Sequence, residues 1–256
     1  MAGVLAGRRI VVTRRPEQAG GLTAALEALG AEVQEVPLLE LAPPSDPAPL
    51  ARAVAELASC DWVALTSANA VGALAGALER VGRPLPARIR VASVGPSTSR
   101  AVRERLGAEP ALEPPSHFQA EGLLRAFEAI DVTGRRVLLP VSDRARDVLA
   151  EGLRARGAQV DVVVAYRTVA PAGAAEALAG ALRSGADLVA LASPSAVEAL
   201  VAGRAGRPAG CPVAVIGPVT ERAARAAGLD VRVVASPATV EALVEAIRRY
   251  FLPARP

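Results

Sequence analysis

The sequence predicts an α/β protein of two similar domains, each a parallel sheet flanked by helices. Three observations carry this reading. The chain is internally duplicated. Short apolar runs alternate with helix-spaced segments along its length. Its 256 residues, 52% hydrophobic, suffice for two ordinary cores.

The duplication is read directly. Gly7-Arg-Arg-Ile10 lies over Gly134-Arg-Arg-Val137 at an offset of 127 residues. Without a gap, that offset pairs Leu22 with Leu149, Leu26 with Leu153, Gly30 with Gly157 and Val33 with Val160. Residues 61–74 lie over 187–200 at an offset of 126, and Val91-Ala-Ser-Val-Gly-Pro-Ser-Thr98 over Val213-Ala-Val-Ile-Gly-Pro-Val-Thr220 at 122. Loop insertions account for the drift, and so long a period suits two related domains rather than a solenoid. Tyr166 sits where the second copy departs from the first. The long apolar stretch 159–171 carries Tyr166, one of only two tyrosines, where the first copy has Leu39.

The elements follow in order. Residues 9–13 form a buried strand and 14–18 a turn. Leu22, Ala25, Leu26 and Leu29 recur at helical spacing over 19–29, and Gly30 stops that helix. Residues 33–41 are extended, and the proline cluster 43–49 reads as a linker. A helix over 50–58, a buried strand over 62–65 and a helix from Ala70 come next. Residues 90–94 are a strand, with Ser97 or Thr98 expected to cap the helix after it. A helix over 119–130 closes the first copy, and the second repeats the order to a helix over 239–251. Strands alternating with helices argue for parallel sheets covered on both faces.

Composition excludes several chemistries. All 29 basic residues are arginine, so a Schiff-base or P-loop lysine is ruled out. One histidine, His117, cannot build a zinc site with its own kind. Cys60 and Cys211 adjoin apolar runs and read as buried thiols. A net charge of +3 with 2% aromatic residues argues against nucleic acid as a partner, and no apolar run reaches the ~18 residues of a membrane span. The N-terminus lacks signal-peptide character, so a cytoplasmic protein is expected.

In a parallel sheet, ligands bind beyond the carboxyl ends of the strands, near helix N-termini that favour anions. Small polar clusters fall there in both copies: Thr66-Ser67-Ala68-Asn69 and Ser97-Thr98, then Ser193-Pro194-Ser195 and Thr220. Any one alone reads as a helix cap. Four in corresponding places suggest rims for a ligand with several carboxylates. Tyr166, a phenol at the end of an apolar strand beside Arg167, reads equally as a packed ring or a proton donor.

Six motifs in this order resemble the uroporphyrinogen-III synthase family over nearly the whole chain. They are Ile10-Val-Val-Thr-Arg14, Leu65-Thr-Ser-Ala-Asn-Ala-Val71, Ser93-Val-Gly-Pro-Ser-Thr98, Ala165-Tyr-Arg-Thr168, Ala192-Ser-Pro-Ser-Ala-Val197 and Ile216-Gly-Pro-Val-Thr220. The resemblance implies two α/β domains joined by a two-stranded connection, with a cleft between them. It places residues 1–36 with 170–256 in one domain and 43–163 in the other, with 37–42 and 164–169 as crossings. The duplication by itself is equally consistent with two contiguous copies. The implied reaction closes the linear tetrapyrrole hydroxymethylbilane, inverts its last ring and eliminates water, with no metal or organic cofactor. It makes Tyr166 the proton donor to the departing hydroxyl. Ser67, Ala68, Asn69, Ser97, Thr98, Ser193, Pro194, Ser195 and Thr220 then bind substrate, joined by Arg14 and Arg144. Asn69 stands where some family members have arginine. The resemblance further implies a cytoplasmic monomer, free of nucleic acid and membrane and open to transient contact with the preceding pathway enzyme.

A second reading is a non-catalytic sensor or binding protein that closes on an anionic small molecule. An exported form calls for a signal peptide and a cytoplasmic sensor for an output segment, and the sequence offers neither.

Overall fold

The computed structural model describes residues 3–203 and 210–252. The remaining residues at both ends and over 204–209 fall in the expected first domain and lie outside those described. The first copy runs β1 (Arg9–Val12), α1 (Pro16–Ala28), β2 (Glu32–Glu35), β3 (Glu40–Ala42), α2 (Ala48–Ala55), β4 (Trp62–Leu65), α3 (Ala68–Arg80), β5 (Arg90–Ser93), α4 (Pro96–Leu106), β6 (Pro110–Leu112) and α5 (Ala120–Ala126). The second runs β7 (Arg136–Ser142), α6 (Val148–Ala155), β8 (Gln159–Val169), α7 (Ala174–Arg183), β9 (Leu188–Leu191), α8 (Pro194–Gly203), β10 (Val213–Val215), α9 (Pro218–Ala226), β11 (Val231–Val234) and α10 (Val240–Phe251).

The α/β class read from the sequence is the one observed. The chain divides into two compact units, Met1–Glu40 with Val169–Pro256, and Leu41–Thr168. In the first, the sheet order is β11-β10-β9-β1-β2 with every neighbouring pair parallel. In the second it is β3-β8-β7-β4-β5-β6, parallel from β8 through β6. Each unit therefore joins a strand–helix–strand piece of one copy to the later elements of the other.

Strand alternation sorts the side chains of the second unit onto two faces. Val63 and Leu65 of β4 and Leu138 of β7 pack with Leu74 and Leu78 of α3. Trp62 and Ala64, with Val137 and Leu139 of β7, pack instead with Leu149 and Leu153 of α6 and with Phe127. The first unit repeats the arrangement. Val11, Val189 and Val213 face α7, α8 and α9, while Ile10, Val12 and Leu188 face α1 and α10. The central strands β4 and β9 are buried at all four positions, which explains their unbroken apolar reading.

Equivalent hydrogen bonds recur in the two units. Asp61 accepts from the Arg136 amide at 2.9 Å, and Asp187 from the Arg9 amide at 2.8 Å. That amide bond, then the Arg135 guanidinium, holds the Asp61 carboxyl below the usual carboxylate range. Gly30 and Gly157, at φ of 94° and 83°, terminate α1 and α6 in the left-handed conformation that the missing Cβ permits. Both thiols are buried, and burial raises the Cys211 pKa to about 11.

Two expectations change. The extended segment 33–41 is two strands in different sheets, because β2 pairs with β1 whereas β3 joins β8. Ser97 and Thr98 are not caps: Pro96 occupies the first helical turn, so Gly95 takes the cap position of α4.

Candidate active site

In the second unit the candidate residues gather at the carboxyl end of the sheet. Leu65 ends β4, and Ser67 caps α3 by accepting the Ala70 amide at 3.1 Å. Ala68 is exposed and Asn69 half-buried in the first turn. Tyr166 pairs with Ser142 near the end of β8, and its hydroxyl lies 3.2 Å from the Ser67 hydroxyl. Its ring rests on the core face built by α2, α3 and α4. Leu39, its counterpart in the repeat, packs on the equivalent face of the first unit. A hydrophobic body suits both positions, and the phenol adds a polar tip at one of them.

The strand after Tyr166 is tied down on both sides. Arg167 donates from Nε to the Pro43 carbonyl at 3.0 Å, and the Asp143 amide donates to the Tyr166 carbonyl at 3.2 Å. Arg144 lies exposed on the loop after β7.

At the start of α4, Ser97 is exposed and Thr98 is buried within the first turn. Ser93 and Ser99 share a buried hydroxyl contact of 2.5 Å, and Ser99 also donates to the Glu113 carboxylate. This chain of hydroxyls holds the helix start against β5. Phe118, half exposed, packs over Gly95, where a Cβ would meet the ring at 2.8 Å. His117, beside it in the loop, is exposed with φ 56°.

The first unit presents the corresponding set. Ser193 caps α8 by accepting the Ala196 amide at 3.2 Å, with Pro194 and Ser195 half-buried in the first turn. Thr220 is buried in the first turn of α9, whose cap is Gly217. Arg14 follows β1, the strand beside β9, at the point where the strand order reverses. Its Nε and Nη1 atoms are buried without a hydrogen-bond partner among the described residues. Burial, and secondarily Arg15, lowers its pKa.

Sequence reasoning missed the pocket beside Tyr166. A recess of about 400 Å³ runs from Tyr166 and Asn69 along α3 to Arg80 and Arg105, walled by Pro43 and Pro44. Its floor includes Gly72, Ala73 and Gly76. Glycine inside a helix costs about 1 kcal/mol relative to alanine, so the pair opens space at the expense of α3. The one signal in the sequence is that i, i+4 glycine spacing. A larger recess of about 610 Å³ between β11 and α10 contains no predicted site residue. Its Glu245 is already paired with Arg248 and Arg249.

Comparison with known proteins adds the following. The family model described as uroporphyrinogen-III synthase HemD matches residues 21–245. A uroporphyrinogen-III synthase from Synechococcus elongatus is 33% identical over 259 residues, covering 96% of each chain. Among solved structures, a mutant uroporphyrinogen III synthase from Thermus thermophilus superposes with a TM-score of 0.64 at 21% identity, covering 95% of this chain and 98% of that one. The Helicobacter pylori uroporphyrinogen-III synthetase gives 0.60 at 14% identity, covering 93% and 97%. At those identities the two structures speak to the fold.

Proposed function

The chain belongs to the uroporphyrinogen-III synthase family, a lyase family of tetrapyrrole biosynthesis, and from that premise we propose how its residues act. The substrate is a tetrapyrrole. In this reading it is the linear hydroxymethylbilane, whose eight carboxylates are met by backbone N–H groups at helix starts. Ala68, Asn69 and Ser97 supply such groups in one unit and Ser195 in the other. Pro194 has no N–H and shapes its turn. Ser67, Ser193, Thr98 and Thr220 add hydroxyls, and Arg14 and Arg144 add charge. The enzyme works as a cytoplasmic monomer, and residues 37–42 and 164–169 serve as its crossings.

The observation that carries the chemistry is the Ser67–Tyr166 hydroxyl pair at one end of the pocket. Ser67 Oγ already accepts from Ala70, so its own proton can be donated to Tyr166 Oη. The phenolic proton is then free to face the leaving group. As the substrate C–O bond breaks, that proton passes to the hydroxyl and water departs. The adjoining pyrrole carries the positive charge until the ring-closing C–C bond forms. Inversion of the last ring breaks its existing methylene bond and remakes it at the ring's other α-carbon, and the proton displaced there returns to the phenolate, so the enzyme ends unchanged.

The non-catalytic alternative is not favoured, because the matching family and relatives are enzymes. The test is product analysis. The protein should convert hydroxymethylbilane to uroporphyrinogen III ahead of spontaneous closure to the unrotated isomer. Formation of the unrotated isomer alone overturns the reading.

A further inference from the structure

We infer that the pocket along α3 is a subsite for one pyrrole ring of the substrate, with Arg80 and Arg105 binding its acidic arms. The inference rests on the tetrapyrrole reading above and adds what selects the substrate's carboxylates. Three features bear on it, all within the unit Leu41–Thr168.

First, the walls suit a flat ring. Pro43 and Pro44 line it above the small residues Gly72, Ala73 and Gly76, with Tyr166 at one end. Second, the floor has been left open. The two helix glycines stand one turn apart, and nothing but guanidinium comes near the space their side chains would take. A Cβ on Gly72 would lie 4.0 Å from Arg105 Nη1, and one on Gly76 would lie 3.8 Å from Arg80 Nη1. Helical side chains lean toward the N-terminus, so Arg80 reaches back over Gly76 toward Tyr166. Asn69 and Gly76 are about 10 Å apart along the axis at 1.5 Å per residue. That spacing accommodates a ring near the phenol and an acid arm extending to the arginines.

Third, the charge at that end is only partly answered. Arg105 donates from Nη2 to Glu79 at 3.4 Å, a long contact between exposed groups. Arg80 makes no hydrogen bond or ion pair with a described residue. Both arginines sit in last helical turns, where the macrodipole favours cations. The dipole asks only for that position. It does not ask two helices to send guanidinium groups over adjacent glycines into one recess.

Arg80→Gln with Arg105→Gln should raise the KM for hydroxymethylbilane about 5- to 20-fold, as two half-exposed charge pairs would. The kcat should stay within about 2-fold, because the arms are bound alike in ground and transition states. Glu79→Gln should act in the opposite direction, lowering KM about 2-fold by freeing Arg105. Loss of fold cannot mimic that gain. An unchanged KM in the double variant of an active parent overturns the subsite and leaves the activity standing. So does a kcat loss at constant KM. Binding is read separately by titrating amide NMR signals with a monopyrrole bearing one acetate and one propionate, against its neutral diester. Saturable shifts at Ala73 and Gly76 that need the free acids and both arginines support the subsite even if the parent makes no uroporphyrinogen III. Equal shifts from the diester, or none from the diacid, overturn it.

Discussion

The hydroxyls of Ser67 and Tyr166 lie 3.2 Å apart, although 99 residues separate them in the chain. One belongs to a helix cap and the other to the end of the longest strand. The cap bond fixes the serine rotamer, and pairing with β7 fixes the tyrosine backbone. Packing of the ring on the core and the contact with Ser67 hold the phenol itself, so under the proposed mechanism ordering it on binding should cost little.

Tyr166→Phe removes the donor and keeps the ring on its core face. General-acid assistance is worth roughly 100- to 10,000-fold. This leaving group also departs unaided, since its pyrrole stabilises the cation, so a fall of about 100-fold or less is expected. Single-turnover rates should drop while product affinity holds, because the effect belongs to the transition state. A chemical rate equal to the parent's would make Tyr166 a wall of the pocket and nothing more.

Ser67→Ala and Ser193→Ala separate capping from catalysis. Each removes an N-cap bond, so each should lower unfolding free energy by about 1 kcal/mol in urea titrations. Only the Ser67 change also takes a partner from Tyr166. Its single-turnover rate should fall further than that of Ser193→Ala, and most of the excess should vanish in a Tyr166→Phe background. Equal excess in both backgrounds would mean that the two hydroxyls act independently.

Most of the fold is legible in the chain because strands and helices repeat their patterns twice. β4 and β9 are buried on both faces and announce themselves as unbroken apolar runs. Gly30 and Gly157 mark helix ends by a conformation that other residues resist. Which piece joins which unit is not legible. The offsets between copies are the same whether copies stay contiguous or exchange their later elements. The site is legible only where backbone chemistry dictates it, as at the Ser67 and Ser193 caps. Arg80 and Arg105 escape notice because solvated arginines at helix ends are ordinary, and their shared pocket arises from packing of α3 beside α4 and β8.

Acid should weaken one particular tie in α10. Hydrogen bonds from Arg248, then Arg249, lower the Glu245 pKa to about 2 from an ordinary 4.5. A carboxyl depressed on folding contributes stability that is complete above about pH 4.5 and is lost as pH falls through about 2. The urea midpoint of Glu245→Gln should thus lie below the parent's at pH 6, and the two should converge toward pH 2. The gap should also narrow in high salt, since the groups are partly exposed. A gap that stays constant from pH 6 to pH 2 would remove the ion pairs as its cause.

The two cap glycines of the repeat should differ in their tolerance of a side chain. Gly95 and Gly217 precede equivalent prolines, yet their surroundings diverge. Gly95 is extended at φ 163°, a conformation open to any residue, and its added Cβ would meet the half-exposed Phe118 ring. That ring can turn toward solvent, and Phe118 Cβ, at 2.9 Å, can yield only with the exposed loop that carries it. Gly217 has φ 96°, where a Cβ is strained whatever the space, and the new atom would lie 2.7 Å from Ala238 Cβ. Alanine cannot turn aside, so backbone must shift. Gly95→Ala should cost about 1 kcal/mol of unfolding free energy, and Gly217→Ala about 2–4 kcal/mol. Thermal and urea unfolding of the pair measure this directly. Gly217→Ala should also shift the start of α9 and carry Thr220 with it, weakening product binding beyond the loss for Gly95→Ala. Equal destabilisation of the two variants would show that the ring of Phe118 is held as firmly as the backbone around Ala238.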